Sequence, residues 1–538
     1  MLSFKNKKVT VMGLGLYQEG SGISATRFLL SQGAKVTVTD LKTEKELAPQ
    51  IKRLLLYCQR EGVRPIGLTI VAIPGLKSGV DKPSKGKVIK FVLGQHREED
   101  FKKTDLIIKN PAVPKTSKYL TIARANGIPI ETDISLFFKL TNRKQIIGIT
   151  GTRGKSTTTT LIYEILLSAS QPAIIGGNIR KSPLTQLNKM KNNDWAVLEL
   201  SSWLLESLED AKLSSHLSVF TNIYPDHLNT YSDIDDYAAA KENIFKWQNL
   251  QDYAVLNFDN KYTRAMGRRV PAKRFWFSLS EFPEENGCFV KNNNIYFRLD
   301  GIEEKVLAVS DIKIIGEHNV ANVLAAVGAV KVLGLKSEKI KKAVANFKGL
   351  SDRLEFLRQV RGVKYYNDTT STTPEATIAA LKALRNSPPV RGGARGGGGS
   401  IGNLSVAPRS LSLGRGENNI ILIAGGADKG LDFRALVKEI KKTCKSLVLL
   451  KGTGTEKIKK LLEIKNKKLE IGDNNSRVVS FESLVAEVDS ISEAVKTARK
   501  FANKGDIILL SPACVSFGLF KNEFDRGDQF RKIINKLK

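Results

Sequence analysis

Short runs of aliphatic and β-branched residues alternate along the chain with longer segments of helical periodicity, the pattern of an α/β protein. The first unit reads as strand 9–12, a glycine-rich turn over 13–22, helix 23–32 and strand 35–39 ending at Asp40. A second block opens with strand 146–150, a loop and a helix starting at Lys155. It continues through strands 195–200, 217–221 and 253–257. A helix follows over 319–333, where Val320, Val323, Leu324 and Val327 recur at helical spacing. A third block begins near residue 350, with strands 363–366, 420–424, 446–450 and 506–511 and a closing helix. At roughly 150 residues per domain, three or four domains are expected, or three with insertions; the blocks divide as 1–143, 144–349 and 350–538. Two segments break the pattern. Residues 55–87 lack clear periodicity and read as an inserted loop. Residues 385–417 hold the run GGARGGGGS and no aromatic residue, and read as a flexible insertion.

Composition narrows the class. Of the 538 residues 41% are hydrophobic and 26% charged, which excludes a wholly disordered or fibrous chain. Lys and Arg number 85 against 54 Asp and Glu, a net charge of +31. The basic residues are spread as single lysines on polar helix faces (Lys438, Lys441, Lys442, Lys459, Lys460), without interleaved stacking aromatics. That reads as a solvated surface with a general pull on small anions, not as a nucleic-acid groove. The four cysteines lie far apart, fit no zinc or disulfide spacing, and read as reduced thiols. The longest apolar runs, such as 217–220 and 507–510, have strand length rather than the roughly 20 residues a bilayer requires. Residues 1–11 lack the apolar core of a signal peptide. No membrane contact is expected, and a cytoplasmic location is.

The strongest chemical signal is GITGTRGKST over 148–157, between a strand and a helix. Glycines let backbone N–H groups of Gly151, Thr152, Arg153 and Gly154 turn toward phosphate oxygens. Lys155 reaches the terminal phosphates, Ser156 offers a hydroxyl to Mg²⁺, and Thr157 continues the turn. Ile149 stands where the strict phosphate-loop pattern has glycine, so this is a T-G-T-x-G-K-S-T variant. Gly13-x-Gly15 followed by Asp40 fits either a nucleotide-binding turn or a structural tight turn. Glu199 ends a strand, where carboxylates beside phosphate loops hold Mg²⁺. His227 follows a buried strand in Asp226-His227. Lys241 reads as lying at the start of an Ala-rich helix, in Ala238-Ala239-Ala240-Lys241, and by itself as a surface lysine.

With these residues in view, the chain resembles the Mur ligases over nearly its whole length. The motifs are TGTRGKST, LELSS, TNIYPDHLNTY, YAAAK, GEHNVANVLAA, GLSDRLE, YYNDTTSTTPEAT, IAGGADKGLDF and LLSPACVSFGLFKNEFDRGDQF over 509–530. The last is most similar to members that add D-glutamate. The resemblance implies a Rossmann-like domain for a UDP-linked substrate, a central P-loop ATPase and a Rossmann-like domain for the amino acid. It implies ATP contacts at residues 151–157, Asn322, Arg353 and Asp368, and two Mg²⁺ ions held with Ser156, Glu199, His227 and a carbamylated Lys241. Lys155, Glu199, His227 and Lys241 would be catalytic. Leu16, Asp40, Asn178 and Ser201 would bind UDP-N-acetylmuramoyl-L-alanine, and Thr372, Lys429 and Ser516 D-glutamate, in a monomer. The implied reaction is ATP-driven amide formation through an acyl phosphate. The chain departs from the family pattern at Arg153 (usually Asn), Leu204 (Gln), Asp352 (His), Thr370 (Lys) and the order Glu523-Phe524. A sister ligase for another amino acid, a folylpolyglutamate synthase-like enzyme and a nucleic-acid-binding P-loop ATPase are the other readings.

Overall fold

The computed structural model describes residues 3–15, 17, 19–68, 88–179, 181–226, 230–283, 285–385, 419–463, 485–516 and 518–538. The described residues form three sheets. The first contains β1 Lys8–Met12, β2 Lys35–Asp40, β3 Arg64–Ile66, β4 Val88–Leu93, β5 Leu106–Lys109 and β6 Ile130–Glu131, all parallel, in the order β3-β4-β2-β1-β5-β6. The second contains β7 Ile146–Thr150, β8 Ala173–Gly177, β9 Trp195–Glu199, β10 Leu217–Phe220, β11 Tyr253–Asn257 and β12 Lys273–Ser278, extended by β13 Gly287–Lys291, β14 Asn294–Leu299 and β15 Ile302–Ala308. Its order is β15-β14-β13-β12-β11-β10-β7-β9-β8, antiparallel only through β13-β14-β15. The third contains β16 Glu355–Val360, β17 Val363–Asn367, β18 Ile420–Gly425, β19 Cys444–Leu450, β20 Val485–Val488 and β21 Ile507–Leu510, in the order β16-β17-β21-β18-β19-β20 with only β16 antiparallel. Residues 1–312 with 319–347 make one compact unit holding the first two sheets. Residues 313–318 with 348–538 make the other, holding the third.

Parallel strands with helices on both faces must be apolar on both faces. Accordingly IIGIT of β7 and IILIAG of β18 are buried throughout. The strand order then decides where ligands can enter. β7 lies between β10 and β9, so the chain winds away in opposite directions from it. In such a fold the place for a ligand lies beyond the carboxyl ends of β7 and β10. β1, between β2 and β5, makes the same kind of switch point in the first sheet.

Each strand read from the sequence is present to within two residues. The hydropathy pattern missed the meander β13–β15, because β15 begins with four exposed residues at a sheet edge and carries no continuous apolar run. Two local expectations are corrected. The stretch 55–87 is not a loop at its start. Residues 55–61 complete the helix Ala48–Glu61, where Ile51, Leu54, Leu55 and Cys58 recur at helical spacing and are buried, and β3 follows as an edge strand. Residues 69–87 lie outside the described residues, as does 386–418, the bulk of the glycine-rich insertion. Lys241 is not at a helix start. Asp233 caps the helix Ile234–Glu242 by accepting the Asp235 and Asp236 N–H groups, which puts Lys241 in the last turn. All four cysteines are free and buried, and burial pushes the thiols of Cys58, Cys444 and Cys514 up to about 12. No helix among the described residues is long and apolar enough to cross a membrane.

Candidate active site

The loop over 151–154 leaves β7 and enters the helix Lys155–Ser168. Its shape is imposed from the next strand. The Thr152 N–H donates to the Asn222 backbone carbonyl (2.8 Å) and the Arg153 N–H to Asn222 Oδ1 (2.8 Å). Thr221 Oγ1 donates to the Arg153 carbonyl (2.6 Å), and the Tyr224 N–H donates to Thr152 Oγ1 (3.0 Å). Gly154, the residue preceding the helix, has φ 85°, and a Cβ there would stand 2.1 Å from Asn322 Oδ1. Asn322, from the helix Glu317–Val332, is thereby set against the loop, oriented by the bond from its Nδ2 to Asn319 Oδ1 (3.1 Å). Lys155, Ser156 and Thr157 form the first helical turn, where the N–H groups of a helix start and the helix dipole favour an anion.

Two lysines converge on one acceptor. Lys155 Nζ donates to the Gly151 carbonyl (2.9 Å) and to that of Thr152 (3.0 Å). Lys241 Nζ, on a residue only 1% exposed, reaches the same Gly151 carbonyl (3.1 Å) and lies 4.7 Å above the Tyr237 ring. Burial, and next the Lys155 ammonium, push the Lys241 pKa well below the usual lysine range, while Asp226 and Glu199 act in the opposite sense. Lys241 is therefore buried machinery of the loop, in place of the surface lysine its sequence suggests. Arg153 pairs with Asp226 (3.5 Å).

Glu199 ends β9 alongside Ile149 of β7. Its Oε1 accepts from Asn178 Nδ2 (3.0 Å), and the Asn178 N–H donates to the Glu199 carbonyl (2.8 Å). Its Oε2 is buried and has no hydrogen-bond partner among the described residues. A buried carboxylate oxygen in that condition fits a hard cation. Among the described residues no group of three or more His, Cys, Asp or Glu gathers to hold a metal. An ion that keeps waters and phosphate oxygens in its shell needs only one or two protein ligands. Ser201 caps the helix Ser202–Asp210, and Leu204 behind it is buried in the apolar core. The turn after Asn178 joins the glycine turn of the first sheet, the Ser182 N–H donating to the Glu19 carbonyl (2.8 Å). In that glycine turn Asp40 accepts the Leu14 N–H (2.8 Å) on one oxygen and the Lys42 N–H (2.9 Å) on the other, so its carboxylate holds the turn itself. Leu16 and His227 lie outside the described residues.

The remaining expected residues belong to the other unit. Thr372, Lys429 and Ser516 sit on the loops that follow β17, β18 and β21, three adjacent parallel strands. The Ala513 N–H donates to the Ser371 carbonyl (2.9 Å), and Ala427 and Val515 exchange backbone bonds (3.1 Å each), which knits the three loops together. Asp368 follows β17. It accepts the Leu354 N–H (3.0 Å) on Oδ1 and the hydroxyls of Ser371 (2.6 Å) and Ser511 (2.8 Å) on Oδ2. Burial outweighs these donors and pushes its carboxyl up to about 6. Arg353 is exposed on the turn before β16. Sequence reasoning missed Thr221 and Asn222 as anchors of the loop, although two polar residues directly after a fully buried strand were the available signal.

Two outcomes follow from this geometry. Gly154→Ala must adopt a left-handed backbone and displace Asn322, at a cost of roughly 2 kcal/mol or more. That is roughly thirtyfold in nucleotide affinity, to be read by titration with a fluorescent ATP analogue; unchanged affinity would remove the loop from nucleotide binding. Asp368 is harder to ionise folded than unfolded. Its contribution to stability is complete below about pH 4 and is lost as the pH rises through about 6. The melting temperature of wild type should therefore fall relative to Asp368→Asn over that interval, by the equivalent of about 3 kcal/mol. A difference that stays flat with pH would refute the assignment.

The Mur ligase middle domain family matches residues 149–330. A UDP-N-acetylmuramoylalanine--D-glutamate ligase of Roseiflexus sp. (strain RS-1) is 35% identical over 543 residues, covering 100% of both chains. Among solved structures, the UDP-N-acetylmuramate-alanine ligase MurC of Thermotoga maritima has the same fold, with a TM-score of 0.55 at 16% identity over 99% of this chain and 100% of that one. The MurF ligase of Thermotoga maritima in complex with ADP gives 0.51 at 15% identity over 80% and 90%. A phosphate loop set in such a fold, and likeness running from end to end, place the chain in the Mur ligase family.

Proposed function

We propose that the chain is an ATP-dependent ligase that joins D-glutamate to UDP-N-acetylmuramoyl-L-alanine in the synthesis of peptidoglycan precursors. The observation that carries this reading is the full-length likeness to ligases of that name, in a chain whose phosphate loop, Glu199 and Lys241 meet at one switch point. Residues 1–143 are assigned to the UDP-linked substrate, 144–349 to ATP and 350–538 to the amino acid.

A carboxylate is a poor electrophile, so the γ-phosphoryl group moves first onto the L-alanine carboxylate and gives an acyl phosphate. The D-glutamate amine then attacks that carbon, and phosphate leaves from the tetrahedral intermediate. Two anions must approach in the first step. Lys155 and the N–H groups at the start of its helix screen them. Mg²⁺, held by Ser156 and Glu199 with His227, would add Lewis-acid screening of the same phosphates. Asn178, bonded to Glu199, and Ser201 are assigned to the muramoyl substrate, Asn322 to the adenine, and Arg353 and Asp368 to the nucleotide. Thr372, Lys429 and Ser516 are assigned to D-glutamate. Lys241 is suited to carbamylation, which needs a neutral amine: burial and the neighbouring ammonium both favour that form. A carbamate would turn an ammonium beside Lys155 into a carboxylate able to hold metal.

ADP release from UDP-N-acetylmuramoyl-L-alanine with a panel of amino acids tests the reading. D-Glutamate should exceed L-glutamate and the substrates of sister ligases by on the order of 100-fold or more. Preference for another amino acid makes this a sister enzyme, and hydrolysis stimulated by nucleic acid, with steep salt dependence, overturns the ligase reading altogether. Lys241→Ala should lose roughly 100-fold or more in turnover and regain part of it with millimolar formate or acetate. Wild-type turnover without added carboxylate would make Lys241 a bystander.

A further inference from the structure

Arg353 stands between two residues with left-handed backbone, Asp352 at φ 67° and Leu354 at φ 45°. Aspartate tolerates that region, whereas leucine disfavours it. Such a turn persists only where its surroundings over-determine it, and here they do so from several directions. The Asp352 N–H donates to Glu355 Oε2 (2.9 Å) and the Leu354 N–H to Asp368 Oδ1 (3.0 Å). Asp352 Oδ1 accepts from Asn367 Nδ2 (2.8 Å). The Asp352 carbonyl takes both the N–H (3.2 Å) and the hydroxyl (2.9 Å) of Thr370. The charged member is Arg531, on the helix Glu523–Asn535. Its Nη2 bridges Asp352 Oδ1 (2.8 Å) and Glu355 Oε2 (2.9 Å), the residues on either side of the 353–354 step. The same helix supplies Gly527, where a Cβ would stand 2.4 Å from Asp352 Oδ1, so the helix approaches the carboxylate as closely as a bare backbone allows.

We propose that Arg531 is a positioning residue for Arg353: by bridging Asp352 and Glu355 it fixes the strained turn that presents the Arg353 guanidinium, and it acts on turnover through that turn. This rests on the reading above, in which Arg353 serves the nucleotide. It also gives Asp352 and Thr370, two departures from the family pattern, a shared place in one clamp.

The test is a double-mutant cycle on the full chain. It uses Arg353→Ala, Arg531→Ala and the pair, with kcat, KM for ATP and KM for UDP-N-acetylmuramoyl-L-alanine measured separately, and with melting temperature as the control for folding. Arg531→Ala is expected to lower kcat/KM for ATP on the order of tenfold or more, to leave KM for the muramoyl substrate unchanged, and to have no further effect once Arg353 is gone. Arg531→Lys, which keeps the charge but cannot fork as well, should recover part of the loss. If Arg531→Ala does not fold, Arg531→Gln and Glu355→Gln carry the same cycle at near-native volume. An Arg353→Ala enzyme with wild-type turnover overturns the reading on which the proposal rests. An impaired Arg353→Ala, with Arg531 variants either equal to wild type or adding their loss to it, overturns the proposal and leaves that reading standing.

Discussion

Asn222 grips the phosphate loop through its backbone carbonyl and through both the oxygen and the nitrogen of its side-chain amide, and the rest of the site depends on that grip. A loop rich in glycine has no strong conformational preference of its own. Held by Thr221 and Asn222, it presents the first turn of the following helix to solvent and leaves the Gly151 carbonyl as the common acceptor of Lys155 and Lys241. Burial above all, and then the Lys155 ammonium on the same carbonyl, make Lys241 lose its proton more readily. The geometry of a turn thus reaches into the acid–base chemistry of a side chain ninety positions further along.

The same architecture recurs. Each sheet places these polar residues at or just beyond the carboxyl ends of parallel strands: Asp40 in the first, the phosphate loop with Glu199 in the second, and Asp368, Lys429 and Ser516 in the third. Interior positions of such strands are committed to burial, so the strand ends are where chemistry can vary without cost to the core.

Much of this was legible in the sequence. Strands such as Tyr253–Asn257 and β7 announce themselves because both faces are buried and every position is constrained. The phosphate loop is legible because its backbone conformation demands glycines at fixed spacing. The meander β13–β15 was not, since its edge strand is largely polar. Lys241 could be placed only through a family resemblance. Its burial results from a helix packing against a loop ninety residues earlier, which no local pattern encodes. The Arg531 clamp was hidden for a similar reason: its partners lie about 180 residues away in the chain.

The four cysteines are all buried, three of them with thiols pushed up to about 12, and none pairs with another. At neutral pH such sulfurs are poor nucleophiles. A maleimide dye added to the native enzyme would therefore find little to react with until a cysteine is introduced on the surface. Labels could then be placed one per domain without first stripping the native thiols, which makes the chain a ready subject for fluorescence measurements of its motions during turnover.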